Sequence, residues 1–525
     1  MGENGLLETD VLVIGSGIAG GITAWQLARQ GVTVLLVSRS ENPEESNTRY
    51  AQGGIIYRGS TDSPRKLVND ILRAGAGLSL RKVARILAEE GPPLVESLLL
   101  QELQVPFDRN ADGELQQSLE GSHSVPRIIH AADATGAAIE QTLIQRLRNE
   151  PNVTLLTGYT AVDLLTTSHH SQNPLDVYRP PTCMGAYLFD QKNRRVIRCL
   201  AKTTVLATGG VGSIFLRTTN PPGARGDGLA MAARAGARII NMEYIQFHPT
   251  AFYQERAPLF LISEAVRGAG ARLLNHRGEA FMAKYAPRWK DLAPRDVVAR
   301  SILQEMINQD VPYVYLDLAT HLSANDIQQR FPNIYQYCLN HGVDITRQPI
   351  PVVPAAHYSC GGIWTDTWGR TTLQRLYAVG EVACTGLHGA NRLASTSLLE
   401  GVVFGNRVAQ HIIRTLNRLP SPRSDRYPPW QDTGTEEPDP ALIQQDMNTI
   451  RHIMWNYVGL VRKTRGLRRA LRDLRLLEME ITHFYRITRL TDDLIGLRNA
   501  VQSALLVTTA AWRNPRSRGA HYRMD

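Results

Sequence analysis

Cysteine is scarce in this chain of 525 residues, and its cysteines stand far apart. The five are Cys183, Cys199, Cys338, Cys360 and Cys384, and no two of them form a C-x-x-C pair. Iron–sulfur clusters, zinc sites and disulfide frameworks need grouped cysteines, so the spacing argues against all three and predicts no bound metal. Free thiols in a reducing cytoplasm are the simpler interpretation.

Long apolar runs are missing as well. No run reaches the roughly 20 residues that a transmembrane helix needs. The segment Met1 to Asp10 is short, polar and acidic, which is not the pattern of a signal peptide. The sequence therefore predicts a cytoplasmic protein without a membrane partner.

Positive charge is in excess, with a net charge of +9 at pH 7. Such a charge suits a nucleic acid, an anionic surface or an anionic small substrate. Many of the basic residues lie in the last 75 or so positions, but no nucleic-acid recognition motif accompanies them. We therefore interpret them as a solvated helical face and expect no nucleic-acid partner.

The first chemical motif is Gly15-Ser16-Gly17-Ile18-Ala19-Gly20, a G-x-G-x-x-G between a predicted strand at Val11 to Ile14 and a predicted helix at Ile18 to Arg29. Val32 to Val37 follows as a second strand, which completes a β-α-β unit. In this context the first glycine permits the tight turn, the second lets the backbone approach a pyrophosphate, and the third allows close helix–strand packing.

The end of the second strand departs from that motif. An acidic residue normally binds the ribose there, whereas this chain has Ser38-Arg39. An arginine could bind the 2′-phosphate of NADP. However, two later strands also end in glycine, at Thr203 to Gly210 and Leu376 to Glu381, and such a two-part site suits the long dinucleotide FAD. The sequence thus favours FAD over NADP.

These placements predict an α/β plus α fold, because the strands of one nucleotide-binding sheet are far apart in the chain. A Rossmann-like FAD-binding domain is split by an α+β capping domain and followed by a C-terminal helical bundle. The predicted limits are 1–235 and 352–420 for the FAD-binding domain, 236–351 for the capping domain, 421–440 for a linker and 441–525 for the helical bundle.

Several longer blocks then occur in a fixed order. They are Ala51-Gln52-Gly53-Gly54, Phe247-His248-Pro249-Thr250, Glu264-Ala265-Val266-Arg267-Gly268, Pro294-Arg295-Asp296 and Gly389-Ala390-Asn391-Arg392. With them, nearly the whole chain resembles the flavoprotein family that contains the flavoprotein subunits of succinate dehydrogenase and fumarate reductase, and L-aspartate oxidase.

Three details favour the oxidase branch of this family. The dehydrogenase branch has a histidine that bonds covalently to the flavin, whereas this chain has Asn47 there, before Thr48. The resemblance therefore implies noncovalent FAD. The block from Ser118 to His123 carries Glu120, a carboxylate suited to a substrate ammonium group. The block from Pro354 to Gly362 also resembles the oxidase version.

The resemblance implies roles for individual residues. His248, His357 and Arg392 would bind the substrate carboxylates, Glu120 the amino group, and Ser263 stands where the family has threonine. Arg295 would be the acid/base residue, with Glu264 and Arg267 as its relay. FAD would contact Gly15, Ser16, Gly17, Ile18, Ala19, Gly20, Arg39, Asn47, Thr48, Tyr50, Ala51, Gln52, Gly53, Gly54, Asp227, Glu381, Ser397 and Leu398.

Each role has a plainer structural alternative. A histidine before proline, such as His248, often only shapes a turn. Glu264 and Arg267 at i, i+3 have the spacing of a helix-surface ion pair, and Arg295-Asp296 could be a surface pair of small energetic value.

The reaction that the resemblance implies is oxidation of L-aspartate to iminoaspartate, with O₂ or fumarate as the final electron acceptor. Iminoaspartate would feed quinolinate formation in NAD biosynthesis, with coupling to quinolinate synthase. A soluble fumarate reductase and the flavoprotein subunit of a succinate dehydrogenase are the alternatives.

Overall fold

The computed structural model describes residues 5–255, 257–432 and 434–525. Its strands are β1 (Leu6–Ile14), β2 (Val34–Ser38), β3 (Ile55–Ile56), β4 (Ile128–Ile129), β5 (Val153–Thr157), β6 (Tyr159–Thr166), β7 (Cys183–Asp190), β8 (Arg195–Leu206), β9 (Ile239–Ile240), β10 (Ile245–Phe252), β11 (Phe260–Leu261), β12 (Arg272–Leu274), β13 (Val314–Asp317), β14 (Ile350–Ser359), β15 (Gly362–Trp364), β16 (Leu376–Ala378) and β17 (Ala383–Cys384).

The α-helices in the same part of the chain are α1 (Ile18–Ala28), α2 (Pro64–Ala74), α3 (Arg81–Leu94), α4 (Thr135–Arg148), α5 (Thr167–His170), α6 (Asp227–Arg234), α7 (Glu264–Gly268), α8 (Met282–Tyr285), α9 (Arg295–Gln309), α10 (Ala324–Arg330), α11 (Pro332–Asn340), α12 (Thr396–Thr415), α13 (Pro440–Val458), α14 (Thr464–Ile487) and α15 (Asp492–Arg513). A π-helical segment at Val95–Glu102 continues α3.

The central sheet has the order β5-β2-β1-β8-β7-β6, and β16 pairs with the end of β8. Strands β5, β2, β1, β8 and β16 are parallel, whereas β7 and β6 are antiparallel. Residues Val11–Ile14 of β1 are buried on both faces, as expected for a covered parallel strand. Helices α1 and α12 pack closely because α12 presents Gly405 to α1, where a Cβ would lie 2.8 Å from the carbonyl oxygen of Ala19. The separated strand signals in the sequence therefore belong to one sheet.

The strands of a second sheet come between β8 and β16 of the first sheet in chain order. It is antiparallel, with the order β11-β10-β14-β13-β12, and packs its own core against α9. The predicted boundary after Pro351 falls inside β14, which runs on to Ser359. At the other end, β9 pairs with β15 rather than with the second sheet. The capping unit is thus joined to the central domain through strands, and the domain limits themselves stay predictions.

The last three helices pack against one another and share a core with the central sheet. On α14 the buried residues Leu467, Leu471, Leu474 and Ile481 follow the spacing of one helical face. The segment predicted as a linker is fixed to the sheet, because Tyr427 is buried and the Tyr187 hydroxyl donates to the Pro428 carbonyl at 2.8 Å. The helical bundle is therefore firmly attached to the central domain.

All five cysteines are free and buried. Within the described ranges, no helix has the length and apolar character needed to cross a membrane. The same ranges contain no group of three or more His, Cys, Asp or Glu side chains that could hold a metal ion.

Candidate active site

A large cavity runs from the carboxyl ends of the central parallel strands to the second sheet. Its lining includes residues of the loop after β1, of β2, of β10 and of β14. We call the part formed by the loop after β1, the end of β2 and residues 45–54 the cofactor end. The part formed by the charged side chains of Glu120, Arg295 and Arg392 with their neighbours is the substrate end.

At the cofactor end, backbone must approach backbone, and only glycine permits this. Gly15 has φ +112°, and a Cβ there would lie 2.2 Å from the carbonyl oxygen of Ala207. A Cβ on Gly20 would lie 2.0 Å from the oxygen of Gly15, so Gly20 serves the packing of α1 on β1. The open N-terminus of α1 then offers its positive dipole end to an anion.

The polar side chains around this end suit a bound FAD. Buried oxygens of four residues that line the cavity have no hydrogen-bond partner within the described chain; these residues are Asn47, Gln52, Thr208 and Asn220. Buried polar atoms are normally paired, so such a group facing one cavity fits a ligand that supplies the missing donors. With the helix N-terminus, the donor and acceptor set fits a dinucleotide.

Asn47 occupies the position at which the dehydrogenase branch attaches its flavin. Its Nδ2 donates to Glu381 Oε2 at 2.7 Å, and the backbone N–H of Ser359 donates to Glu381 Oε1 at 2.8 Å. Burial raises the pKa of Glu381 to about 7. Because an amide does not bond to a flavin as a histidine does, Asn47 agrees with the sequence-based prediction of noncovalent FAD.

The structure brings together almost all of the residues that the sequence singled out. Every predicted cofactor and substrate residue lines the cavity except Gly20 and Arg267. Gly20 lies under the turn. Arg267 is 1% exposed and lies behind Glu264, so it does not face the cavity itself.

At the substrate end, two buried arginines share one acceptor. Arg295 Nη1 and Arg392 Nε each donate to Gln246 Oε1 at 3.3 Å. Arg392 also donates to Ser397 Oγ at 2.6 Å and lies 4.4 Å from the ring centre of Tyr358. Burial, and then repulsion from Arg295, lowers the pKa of Arg392 to about 10. The arginines thus form a pair that is stabilised by a bound anion.

The acid partner of Arg295 is Glu264, whose Oε2 accepts from Arg295 Nε at 2.6 Å. Arg267 lies on its other side, with Nη2 3.7 Å from Glu264 Oε1. Burial alone would raise the pKa of Glu264, but Arg295 and Arg267 outweigh it and hold the pKa below its usual value. Glu264 is therefore ionised, and the alternative of a surface ion pair is excluded for these three buried residues.

Glu120 is the second carboxylate, and it is only 4% exposed. The hydroxyl of Ser395 donates to its Oε2 at 2.7 Å. Burial, followed by repulsion from Glu264, raises the pKa of Glu120 to about 7. Near neutral pH this side chain is therefore partly protonated until a cation enters the cavity.

The two histidines lie on the neighbouring strands β10 and β14, with ring centres 5.2 Å apart. Arg392 Nη2 lies 3.1 Å from His357 Nε2, and Thr219 Oγ1 lies 2.8 Å from His357 Nδ1. Since a guanidinium only donates, His357 Nε2 accepts, and its hydrogen is on Nδ1. His248 Nε2 lies 2.9 Å from the carbonyl of Ile262, so it holds a hydrogen and leaves Nδ1 unpartnered.

Burial lowers the pKa of both histidines well below the ordinary value. They are neutral in the free protein. The alternative that His248 only shapes a turn does not fit its place in the middle of β10 beside the substrate end.

Sequence reasoning missed the polar residues that hold the charged ones in place. Gln246 joins the two arginines, Ser395 binds Glu120, and Thr219 binds His357. Gln246 had a usable signal, because it lies two residues before His248, and such a spacing in a strand puts both on one face. Ser395 and Thr219 lie in loops with no periodic pattern.

Comparisons with known proteins agree with this geometry. The family model described as FAD binding domain matches residues 10–398, and the model described as fumarate reductase flavoprotein C-term matches residues 447–525. A quinol fumarate reductase from E. coli superposes with a TM-score of 0.88 at 26% identity, covering 99% of this chain and 92% of that one. The predicted fold class is confirmed.

The relatives are more similar in sequence. L-aspartate oxidase 1 of Ralstonia nicotianae is 46% identical, covering 99% of this chain and 96% of the relative. L-aspartate oxidase of Yersinia pestis is 43% identical, covering 98% of this chain and 96% of the relative.

Fold and site together define an FAD-dependent oxidoreductase built like the flavoproteins of fumarate reductase and succinate dehydrogenase. Within that class, the chain belongs to the L-aspartate oxidase family. The sequence-based prediction of this family, and of FAD as the cofactor, is confirmed.

Proposed function

We propose that this protein oxidises L-aspartate to iminoaspartate. The observation that carries the proposal is the buried Glu120, which lies in the same cavity as the arginine pair of Arg295 and Arg392. A four-carbon dicarboxylate needs fixed cations, and an added ammonium group needs an anion. The substrate end supplies both kinds of charge, and the relatives named above carry the same activity in their names.

The substrate carboxylates would be bound by Arg392, which His357 and Ser397 hold in position. Ser263 and His248 lie in the same cavity. Because His248 Nδ1 is a bare acceptor in the free protein, donation to a carboxylate requires a second ring proton, and a bound anion favours its uptake. Glu120 binds the ammonium group as a carboxylate.

Arg295 is proposed to move the substrate proton, with Glu264 as its partner. Because arginine has a pKa above about 12, Arg295 is protonated at rest, so it can accept the substrate proton only after its own proton has passed to the ionised Glu264. The contact to Glu264 at 2.6 Å and the buried Arg267 behind it form a chain through which a proton can leave. When bound, FAD supplies a two-electron acceptor that is later reoxidised.

The substrate thus loses two electrons and two protons, and these must reach a final acceptor. We propose O₂, which gives hydrogen peroxide, or fumarate, which gives succinate. The product would feed quinolinate synthase in NAD biosynthesis. The free thiols support a reducing location such as the cytoplasm.

The test uses the purified holoenzyme without oxygen. L-aspartate should bleach the visible flavin band rapidly, and admitted air should restore it with formation of peroxide. Succinate is the parallel substrate. Bleaching by succinate alone would instead assign the protein to the dicarboxylate branch, and no response to either compound would overturn the substrate assignment.

A further inference from the structure

The end of β2 carries Arg39 where a dinucleotide-binding fold normally has an acid. Arg39 lines the cavity, and its Nη1 donates to Asp492 Oδ2 at 2.9 Å. Asp492 is the first residue of α15, more than 450 positions further along the chain. A carboxylate is therefore present at this corner of the site, but the C-terminal helix supplies it.

Asp492 also holds a second, deeper arginine. Its Oδ1 accepts from Arg225 Nη2 at 3.0 Å and from Thr160 Oγ1 at 2.6 Å. Arg225 Nη2 donates in turn to Asp227 Oδ2 at 3.0 Å, and Asp227 lines the cavity. Arg39, Arg225, Asp227 and Asp492 thus form a closed network of two cations and two anions.

One face of α15 is shaped for this network. Asp492, Gly496, Asn499 and Ser503 are spaced by four, three and four residues, so they lie on the same side of the helix. A Cβ at Gly496 would lie 2.3 Å from Arg225 Cζ, so glycine makes room for the guanidinium. Asn499 Nδ2 donates to Asp227 Oδ1 at 2.9 Å, and Ser503 Oγ donates to the carbonyl of Gly226 at 3.2 Å.

We propose that α15 is part of the cofactor site: Asp492 positions Arg39, and with Asn499 it positions Asp227, so that FAD binding and docking of the helical bundle stabilise each other. This inference rests on FAD as the cofactor and not on the identity of the substrate. Asp492 is a positioning residue, because it acts on the cofactor through Arg39 and Arg225.

The network also gives a structural reason for the preference for FAD over NADP that the sequence indicates. Arg39 alone would attract a 2′-phosphate, but here its charge is balanced by Asp492. A 2′-phosphate at this corner would be repelled by the Asp492 carboxylate. That carboxylate stays ionised, because Arg225 and Arg39 more than offset the effect of its burial and lower its pKa to about 2. The site therefore favours an unphosphorylated ribose.

The experiment compares Asp492→Asn with Asp493→Asn. Both residues lie in the first turn of α15, so both variants lose one negative charge at the same helix end. Asp493 is exposed and has no hydrogen bond or ion pair among the described residues. FAD dissociation from the full-length holoenzyme is followed by the rise of free flavin fluorescence on dilution. We expect at least about tenfold weaker FAD binding in Asp492→Asn, and less than about twofold change in Asp493→Asn.

Two further measurements distinguish a positioning role of Asp492 from a general loss of protein stability. ADP, which carries the adenosine and both phosphates of FAD, should compete with FAD less well in Asp492→Asn. FMN, which lacks the adenosine, should bind as it does to the unchanged protein. When Arg39→Ala is already present, adding Asp492→Asn should lower the FAD affinity clearly less than Asp492→Asn does alone. If Asp492→Asn weakened FMN and ADP binding equally, or lowered the FAD affinity as much with Arg39→Ala present as without it, the positioning role would be overturned.

Hydrogen exchange covers the case in which Asp492→Asn does not fold. Removing FAD from the unchanged protein should speed amide exchange at residues 492–503 more than at residues 440–458 of α13. Unchanged exchange in α15 would overturn the coupling. Bleaching by aspartate is measured separately, so failure of the substrate assignment leaves this result intact.

Discussion

The two ends of the cavity are built by different means. The cofactor end consists largely of backbone, brought close by glycines, whereas the substrate end consists of charged side chains from distant segments. A substitution at the cofactor end has a steric effect, because a single added methyl group meets a carbonyl oxygen. A substitution at the substrate end has an electrostatic effect, because each buried charge depends on a partner that another segment supplies. The comparison predicts separate losses: cofactor binding at one end, and turnover or substrate affinity at the other.

The largest effect is expected from Arg295→Met. This variant keeps the length of the side chain but removes the proposed proton carrier, and it leaves Glu264 without its closest cation. The turnover rate should fall by about 10³-fold, within the usual contribution of acid–base groups. Steady-state rates are measured together with the flavin content.

Arg277→Met is the matched control, since Arg277 is exposed, belongs to the same capping unit and does not line the cavity. If Arg295→Met lost bound FAD in proportion to its loss of activity, cofactor binding and turnover would not depend on separate ends of the cavity.

Gly15→Ala should damage the other end. The new methyl group would lie 2.2 Å from the carbonyl oxygen of Ala207, and the residue would keep a φ of +112°. Strain of this kind costs up to about 3 kcal/mol, so FAD should bind roughly 100-fold less tightly. The flavin absorbance of the purified protein and its titration with FAD provide the measurement.

Gly31→Ala serves as the control because Gly31 also has positive φ, at +75°, yet has open space around it. Equal FAD affinity in the two variants would show that the close approach at Gly15 is unimportant.

Glu120→Gln should raise the KM for L-aspartate by about 30-fold, because a hydrogen bond between charged groups contributes ~1.5–3 kcal/mol. Binding of succinate, which has no ammonium group, should change little. Glu114→Gln alters an exposed carboxylate on the same connecting segment and should leave both values unchanged.

The pH profile sharpens this prediction. Because the pKa of Glu120 is raised to about 7, the side chain is charged above that pH and neutral below it. The value of kcat/KM for aspartate should therefore fall as the pH drops through 7, and this step should vanish in Glu120→Gln. A step that survives the substitution would have to come from another group.

The smallest effect is expected from Ser263→Ala. The Ala265 N–H donates to the Ser263 hydroxyl at 3.2 Å, and this bond caps α7, which carries Glu264 and Arg267. Loss of a cap costs about 1 kcal/mol, so the KM should rise about fivefold. Ser263→Thr should retain the cap. Ser323→Ala removes a similar cap from α10 and should lower stability without changing the KM.

The sequence predicts the two ends unequally well. The β1-α1-β2 unit at the cofactor end is local, so glycine spacing and apolar runs were enough to predict it. The charged residues of the substrate end carry no local pattern, and the resemblance to a family identified them. Gln246 and Ser395 were missed because they are uncharged and act only through partners that are distant in the chain.

The same reason explains what was missed in the fold. The antiparallel strands β6 and β7 extend the central sheet, but their sequence pattern does not predict that β7 pairs with β8. The contact between Arg39 and Asp492 joins two ends of the chain that no periodicity connects. Such pairings depend on the assembled fold.

The buried thiols have a consequence for the life of the enzyme. The proposed turnover with oxygen would release hydrogen peroxide at the cavity, and peroxide damages cysteine through its thiolate form. Burial raises the pKa of Cys199, Cys338 and Cys384 to about 12, and it also raises the pKa of Cys183 and Cys360. The five thiols therefore stay protonated and out of contact with solvent, so the peroxide of the proposed reaction would meet no cysteine thiolate.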